Sequence, residues 1–223
     1  VVRLFLWHGR NSYKRTAKLS QFVIHRGFII AVMQAVFSSL FYFAPISLYQ
    51  GLLIIGYATV FTMAPVFSLV FDHDIEASIA LLYPELYKDL TKGRGLSLKT
   101  FFKWLLVSVY QGGVIMLSSF GFFEHDFIHI VAITFTALLV NELLMVALEI
   151  NTWHYIMILC EIGSIFIYII SVRFLETEFD RPFMTSISFF SKVLAITLIS
   201  FLPLYLFKVV RHFLAPPSYA KLS

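Results

Sequence analysis

The sequence predicts an all-α fold, a polytopic membrane bundle of six transmembrane helices, and three observations predict it. Hydrophobic residues make up 59% of the 223 positions and charged residues 13%, with a mean hydropathy of +0.84, a balance foreign to water-soluble domains of this length. Six apolar runs are each long enough to supply the roughly 20 helical residues that cross a bilayer core of about 30 Å. The Lys and Arg residues collect at the ends of those runs rather than on one face, so the net charge of +4 reports orientation and argues against nucleic-acid binding.

The expected spans are 20–43, 48–70, 101–122, 127–150, 154–174 and 184–208. Residues 1–19 precede the first span, and from Arg10 to Leu19 they are polar and basic without Gly or Pro, so the first helix should run past the bilayer as a stalk with something attached beyond it. The chain opens Val1-Val2-Arg3 with neither an initiator Met nor a signal-peptide core, which reads as a piece of a longer polypeptide. The second span contains Ala64-Pro65. Proline removes a backbone donor, so this helix should kink or break and free carbonyls able to line a polar cavity; a plain packing kink is the alternative.

A charged loop, 72–100, follows, beginning Phe71-Asp72-His73-Asp74-Ile75, continuing through Tyr83-Pro84-Glu85-Leu86-Tyr87-Lys88, and closing with Lys92, Gly93, Arg94 and Gly95. Its tyrosines suit the headgroup level of a membrane. After the last span, residues 209–223 form an expected tail in which Pro216-Pro217 ends the helix. The single cysteine, Cys160, sits in an apolar run and offers no disulfide framework.

Counting Lys and Arg in the short connections assigns the stalk, loop 72–100 and the tail to the cytosolic side. The opposite connections carry Glu124, Asp126, Glu176, Glu178 and Asp180 against one basic residue, Arg181. Both ends of a six-span chain are then cytosolic. The 150–153 turn is too short and uncharged to weigh in this count.

Ionisable and polar groups inside the spans are the candidate sites, because a charge within a membrane helix costs a few kcal/mol unless it is paired or hydrated. Arg26 lies about one turn inside the cytosolic boundary, where snorkelling to the interface is the bland alternative. Gln34 and Ser38 follow close to the same helical face and extend it into a polar track, unless they merely bond to neighbouring helices. Asn141-Glu142 sits near the middle of the fourth span, and a bond from Glu142 to Arg26, direct or through water, is the expectation, with a helix-locking hydrogen bond as the alternative. Asp72, His73 and Asp74 suggest a metal site only superficially, since no second ligand cluster exists; docking of the two aspartates on Lys14 or Arg15 of the stalk is expected instead. No Ser/His/Asp or Cys/His set forms, so no catalytic residue and no metal ligand is assigned.

Several motifs in register carry a family resemblance. Trp7-His8-Gly9-Arg10-Asn11-Ser12-Tyr13 before a basic stalk, then Thr62-Met63-Ala64-Pro65-Val66, Phe71-Asp72-His73-Asp74-Ile75 and Tyr83-Pro84-Glu85-Leu86-Tyr87-Lys88 resemble type IV P-type ATPases, the phospholipid flippases. Leu148-Glu149 with Trp153, and the span count, extend the resemblance over the whole chain, which would supply helices five to ten of ten. Gln21-Phe22-Val23-Ile24-His25-Arg26-Gly27 and Pro216-Pro217-Ser218-Tyr219 are similar to the branch that works without an accessory subunit, in Golgi, trans-Golgi network and endosomal membranes. His25-Arg26-Gly27 stands where other flippases carry Tyr-Lys-Asn, and Ala58 where they carry an Asn.

What the resemblance implies is an ATP-driven translocase moving aminophospholipids, phosphatidylserine or phosphatidylethanolamine, to the cytosolic leaflet. Its ATP and Mg2+ would be bound by cytosolic domains of the same polypeptide, since the Asp-Lys-Thr-Gly phosphorylation motif is absent here. Membrane phospholipid is the implied partner, met by Arg26, Gln34, Ser38, Pro65, Asn141 and Glu142. The competing readings are the membrane part of a P-type cation pump, which would want several carboxylates in the first two spans, and a six-helix channel or scaffold, which would want a filter or pore repeat.

Overall fold

The computed structural model describes residues 2–43, 45–73, 75, 77–83, 87, 90, 93–122, 126–175 and 178–214, without the side chains of Arg94 and His212. Asp74, Pro84-Glu85-Leu86, Lys88, Glu124, Glu176 and the tail from residue 215 lie outside the described residues. Among the described residues, six helices are long and apolar enough to cross a membrane: α1 (Leu4–Leu40), α2 (Gly51–Phe71), α3 (Leu98–Gly121), α4 (Phe127–Glu149), α5 (Tyr155–Phe174) and α6 (Ile187–Leu214). Short helices at Ala77–Leu82 and Arg181–Met184 lie in the connections, and no strand occurs among the described residues.

The bundle forms around α4. In its most apolar stretch 78% of residues are buried, against 22% for α6, so α4 is the central helix and the others wrap it. Large apolar side chains such as Leu52, Ile55, Leu106, Phe166, Ile169 and Leu194 instead point outward, the exposed belt that a lipid-facing surface requires. The core on one side of α4 is aromatic: Phe135 meets the rings of Tyr49, Tyr57, Phe61, Tyr168 and Phe179 with centroids 5.4–6.3 Å apart.

α1 runs unbroken from a π-helical turn at Leu4–Gly9 through Arg10–Leu40, so the expected stalk and first span are one rod. It ends where Tyr42 and Phe43 take left-handed conformations (φ 53° and 59°) and Pro45 follows. α6 continues past Lys208 to Leu214, farther than the apolar run foretold, and Lys208 lies beside the end of α4, donating to the Leu148 carbonyl.

Helix ends fall into two groups. The stalk, the end of α2, the start of α3 and the α4–α5 turn meet at one end, called here the stalk end. The α1–α2, α3–α4 and α5–α6 connections meet at the other, where His129 on α4 bonds to Asp180 at 3.1 Å and stacks on Phe183 at 3.7 Å.

α1 and α3 are the most intimate pair. Gly112 lets them close: a Cβ there would lie 2.9 Å from the Ile29 carbonyl oxygen and 3.1 Å from Val32 Cβ. Gly112→Ala should therefore lower stability by about 1–3 kcal/mol through overpacking, read as a lower thermal midpoint in detergent. Gly113→Ala is the control, since nothing lies within 4 Å of its added Cβ; it should be neutral or stabilising by helix propensity.

Candidate functional site

α2 is not a continuous α-helix. Regular turns at Gly51–Gly56 widen to a π-helical turn at Tyr57–Phe61, the chain breaks at Thr62 (φ −118°), and a second stretch runs Met63–Ser68. The cause is Pro65, which has no N–H for the Phe61 carbonyl four residues back. Ser164 of α5 donates to that carbonyl, and the Thr62 hydroxyl donates to the Tyr57 carbonyl at 2.6 Å. The helix breaks as the proline foretold, but the freed carbonyls are answered by hydroxyls instead of lining an open cavity.

Arg26 lies half-buried at this break and donates from a guanidinium nitrogen to Thr62 Oγ1 at 3.1 Å. The expected hydrogen bond to Glu142 is not made: both carboxylate oxygens of Glu142 are buried without a hydrogen-bond partner. Arg26 remains within electrostatic reach of that carboxylate, yet the basic group nearest it is His25, with Nε2 3.8 Å from Oε2. Helix rotation decides this, because His25 faces inward toward α3 and α4 while Arg26, the next residue, faces α2. Tyr57 lies beside Glu142 and Gln111 beside His25, but the Tyr57 hydroxyl and both Gln111 amide atoms also stay unbonded. Glu161 of α5 completes the layer within electrostatic reach of Glu142.

The remaining sequence candidates are placed apart. Gln34 donates to Ser38 Oγ at 3.1 Å and to the Ile46 carbonyl at 3.0 Å, and its own carbonyl accepts from the Leu48 amide at 2.8 Å. It therefore clamps the connection into α2. Asn141 accepts from Ser200 Oγ at 2.8 Å and donates to the Ala137 carbonyl, tying α4 to α6. Pro65 is buried inside α2. The structure thus gathers Arg26, Pro65 and Glu142 around the break and leaves Gln34, Ser38 and Asn141 outside that group.

A second polar centre lies at the stalk end. The Asp72 carboxylate, 3% exposed, accepts from Lys18 Nζ at 2.6 Å, from the Asn151 and Thr152 amides at 3.1 and 3.0 Å, and from the Thr152 hydroxyl at 3.2 Å. Arg15 Nε donates to the Asp72 carbonyl at 2.7 Å, and Trp7 Nε1 to the Ile75 carbonyl at 3.1 Å. One carboxylate thereby joins the stalk, α2 and the α4–α5 turn. Asp72 docks on the stalk, but its carboxylate pairs with Lys18 instead of Lys14 or Arg15, and Arg15 takes the backbone carbonyl; Asp74 lies outside the described residues. A cavity of about 720 Å3 opens between α3, α4 and α6, lined by Lys103, Trp104, Glu149 and Lys208 among others. Neither Arg26 nor Glu142 lines it.

Sequence reasoning passed over His25, Tyr57, Gln111 and the Asn151-Thr152 turn. Gln111 and His25 carried a usable signal, being polar residues inside apolar spans. Asn151 and Thr152 act partly through backbone amides, which leave no trace in the sequence.

Fold and site together define a polytopic helical membrane domain with an ionisable interior and a stalk tied to its helix ends. The chain belongs to the family described as phospholipid-translocating P-type ATPase C-terminal, whose pattern matches residues 1–217. It is 58% identical over 223 residues to "Probable phospholipid-transporting ATPase IIB" of Bos taurus and 56% identical over 226 residues to "Phospholipid-transporting ATPase NEO1" of Saccharomyces cerevisiae. It is also 55% identical over 223 residues to "Probable phospholipid-transporting ATPase tat-5" of Caenorhabditis elegans. All of this chain is covered each time, but only 20%, 20% and 21% of those relatives' own lengths. The type IV resemblance carried by the motifs from Trp7 to Lys88 is thereby shown.

Proposed function

We propose that this chain is the membrane part of an ATP-driven translocase that moves an aminophospholipid, phosphatidylserine or phosphatidylethanolamine, from the lumenal or outer leaflet to the cytosolic one. The observation that carries the reading is Arg26, held half-buried at the break in α2 by Thr62 rather than by a carboxylate. A guanidinium with donors to spare suits a phosphodiester, which it grips bidentately. The interrupted α2 around Pro65 forms the path beside it, Gln34 and Ser38 extend α1's polar side toward the far end, and Asn141 and Glu142 support the path from α4. ATP and Mg2+ act in other domains of the same polypeptide, joined through the stalk. The stalk end faces the cytosol, Golgi, trans-Golgi network and endosomal membranes are the setting, and no accessory subunit is needed.

The test is vanadate-sensitive ATPase of the full-length protein containing this sequence, in defined phosphatidylserine, phosphatidylethanolamine or phosphatidylcholine. Stimulation by one aminophospholipid should fall at least tenfold in Arg26→Ala, about 1.4 kcal/mol or more of lost headgroup recognition, with partial recovery in Arg26→Lys. Stimulation unchanged in Arg26→Ala would leave Arg26 a snorkelling residue, and no response to any lipid would return the chain to the cation-pump or scaffold readings.

A further inference from the structure

His25 and Glu142 face each other from α1 and α4 at 0% and 1% exposure, and the way each is bonded fixes what can lie between them. His25 Nδ1 is 2.7 Å from Ser108 Oγ. That hydroxyl has one proton and lies 2.9 Å from the Trp104 carbonyl. When it donates there, Nδ1–H donates to Ser108 and a bare Nε2 faces Glu142; when it donates to Nδ1, Nε2–H faces Glu142. Nε2 and Oε2 stand 3.8 Å apart, and neither has another hydrogen-bond partner. Without a proton, two lone pairs, one on a full negative charge, would oppose each other in a dry interior. A proton in the gap, carried by the imidazole or by the carboxyl, removes that conflict, and a small side-chain rotation makes the bond.

The surrounding charges give the same count. Arg26 on α1 is permanently cationic and balances one carboxylate. Two carboxylates, Glu142 on α4 and Glu161 on α5, lie within electrostatic reach of this layer. α2 presents the phenol of Tyr57, α3 only the neutral Gln111 and Ser108, and α6 the neutral Ser200, through Asn141. One further positive charge neutralises the cluster, and a proton supplies it without the several oxygen ligands that a hard metal cation requires.

We propose that His25 and Glu142 form an intramembrane proton-binding site, holding one shared proton between His25 Nε2 and Glu142 Oε2. Both partners stand on elements that the stalk and Asp72 connect to the world outside the membrane. The site exists only while α1 and α4 are in register, so any step of the working cycle that slides the stalk helix against α4 binds or releases this proton. This proposal rests on the reading of the chain as part of a working ATPase only for its kinetic arm.

The full-length purified protein tests it in two ways. Infrared difference spectra between the vanadate-bound and free enzyme should contain a protonated-carboxyl or imidazolium band that Glu142→Gln and His25→Gln both remove. In the second arm, lipid-stimulated ATPase is followed between about pH 5 and 8. Its alkaline limb should fall about tenfold per pH unit, the slope of one required proton, and whatever the absolute rates, both variants should lack that limb. Glutamine at 142 donates an amide N–H to Nε2 and so imitates the protonated pair at every pH. A limb that persists in Glu142→Gln, or spectra without a band that both variants remove, overturns the proposal; so does activity that requires added Na+ or K+ and loses that requirement in Glu142→Gln. The spectral arm needs no lipid turnover, so a protein that shows the band yet responds to no lipid would refute the translocase reading alone.

Discussion

Asp72→Ala should destabilise the protein by about 3 kcal/mol, because it removes the buried partner of a part-buried ion pair and leaves Lys18 and two backbone amides short of their acceptor. Lys18 would lose its contact at 2.6 Å and keep only the Glu149 carbonyl at 2.8 Å. The Asn151 and Thr152 amides would lose their acceptor at the same time. Asp72→Asn should cost less, since its amide oxygen still accepts from those N–H groups. A double-mutant cycle with Lys18→Met separates the ion pair from the turn: a coupling above about 1 kcal/mol in the thermal midpoint marks a direct pair, and strict additivity would mean that Lys18 owes its position to the Glu149 carbonyl. In a transporting enzyme the same change should also loosen the stalk from α2, seen as ATP hydrolysis that no longer responds to lipid.

Phe135→Ala should cost about 3–5 kcal/mol, the range for emptying a large aromatic site in a core that collapses only partly. Phe135 is fully buried on the central helix, and its ring contacts aromatic residues from α2, α5 and the α5–α6 connection. Truncation therefore opens a gap where three elements meet. Phe135→Leu refills most of the volume and should recover the larger part of the loss. If Phe135→Ala melted within about 0.5 kcal/mol of wild type, the helices would be held by their polar ties and not by this ring cluster.

The sequence made the spans legible because bilayer thickness imposes a length on apolar runs that nothing in a soluble core imposes. It made the break in α2 legible because Pro65 lacks an N–H wherever it sits. It could not tell which of two adjacent residues, His25 or Arg26, faces Glu142: successive helical residues differ by about 100°, and only packing against α3, set by Gly112, fixes the rotation. The Asp72 charge was visible, and its stalk partner was expected within a turn of the residue that provides it. The α4–α5 turn was discounted for having no charge, yet its amides are what a buried carboxylate needs. Arg26 at the break was singled out as a charge in an apolar run; Thr62, which holds it, looked like an ordinary residue before a proline.

α2 and α6 share a device with a mechanical meaning. Each contains a proline, each proline strips the donor from the carbonyl one turn earlier, and in each case a hydroxyl from another helix takes that carbonyl: Ser164 of α5 for Phe61, and Tyr110 of α3 for Ile199 at 2.8 Å. A proline hinge in lipid is normally free to flex until some backbone group is left facing hydrocarbon. Here the missing rung of each ladder is borrowed from a neighbour, so bending one helix tears a bond unless the lender follows. α2 and α5 are geared together, as are α6 and α3, and flexing of α2 at its break is transmitted sideways through the bilayer rather than absorbed where it begins.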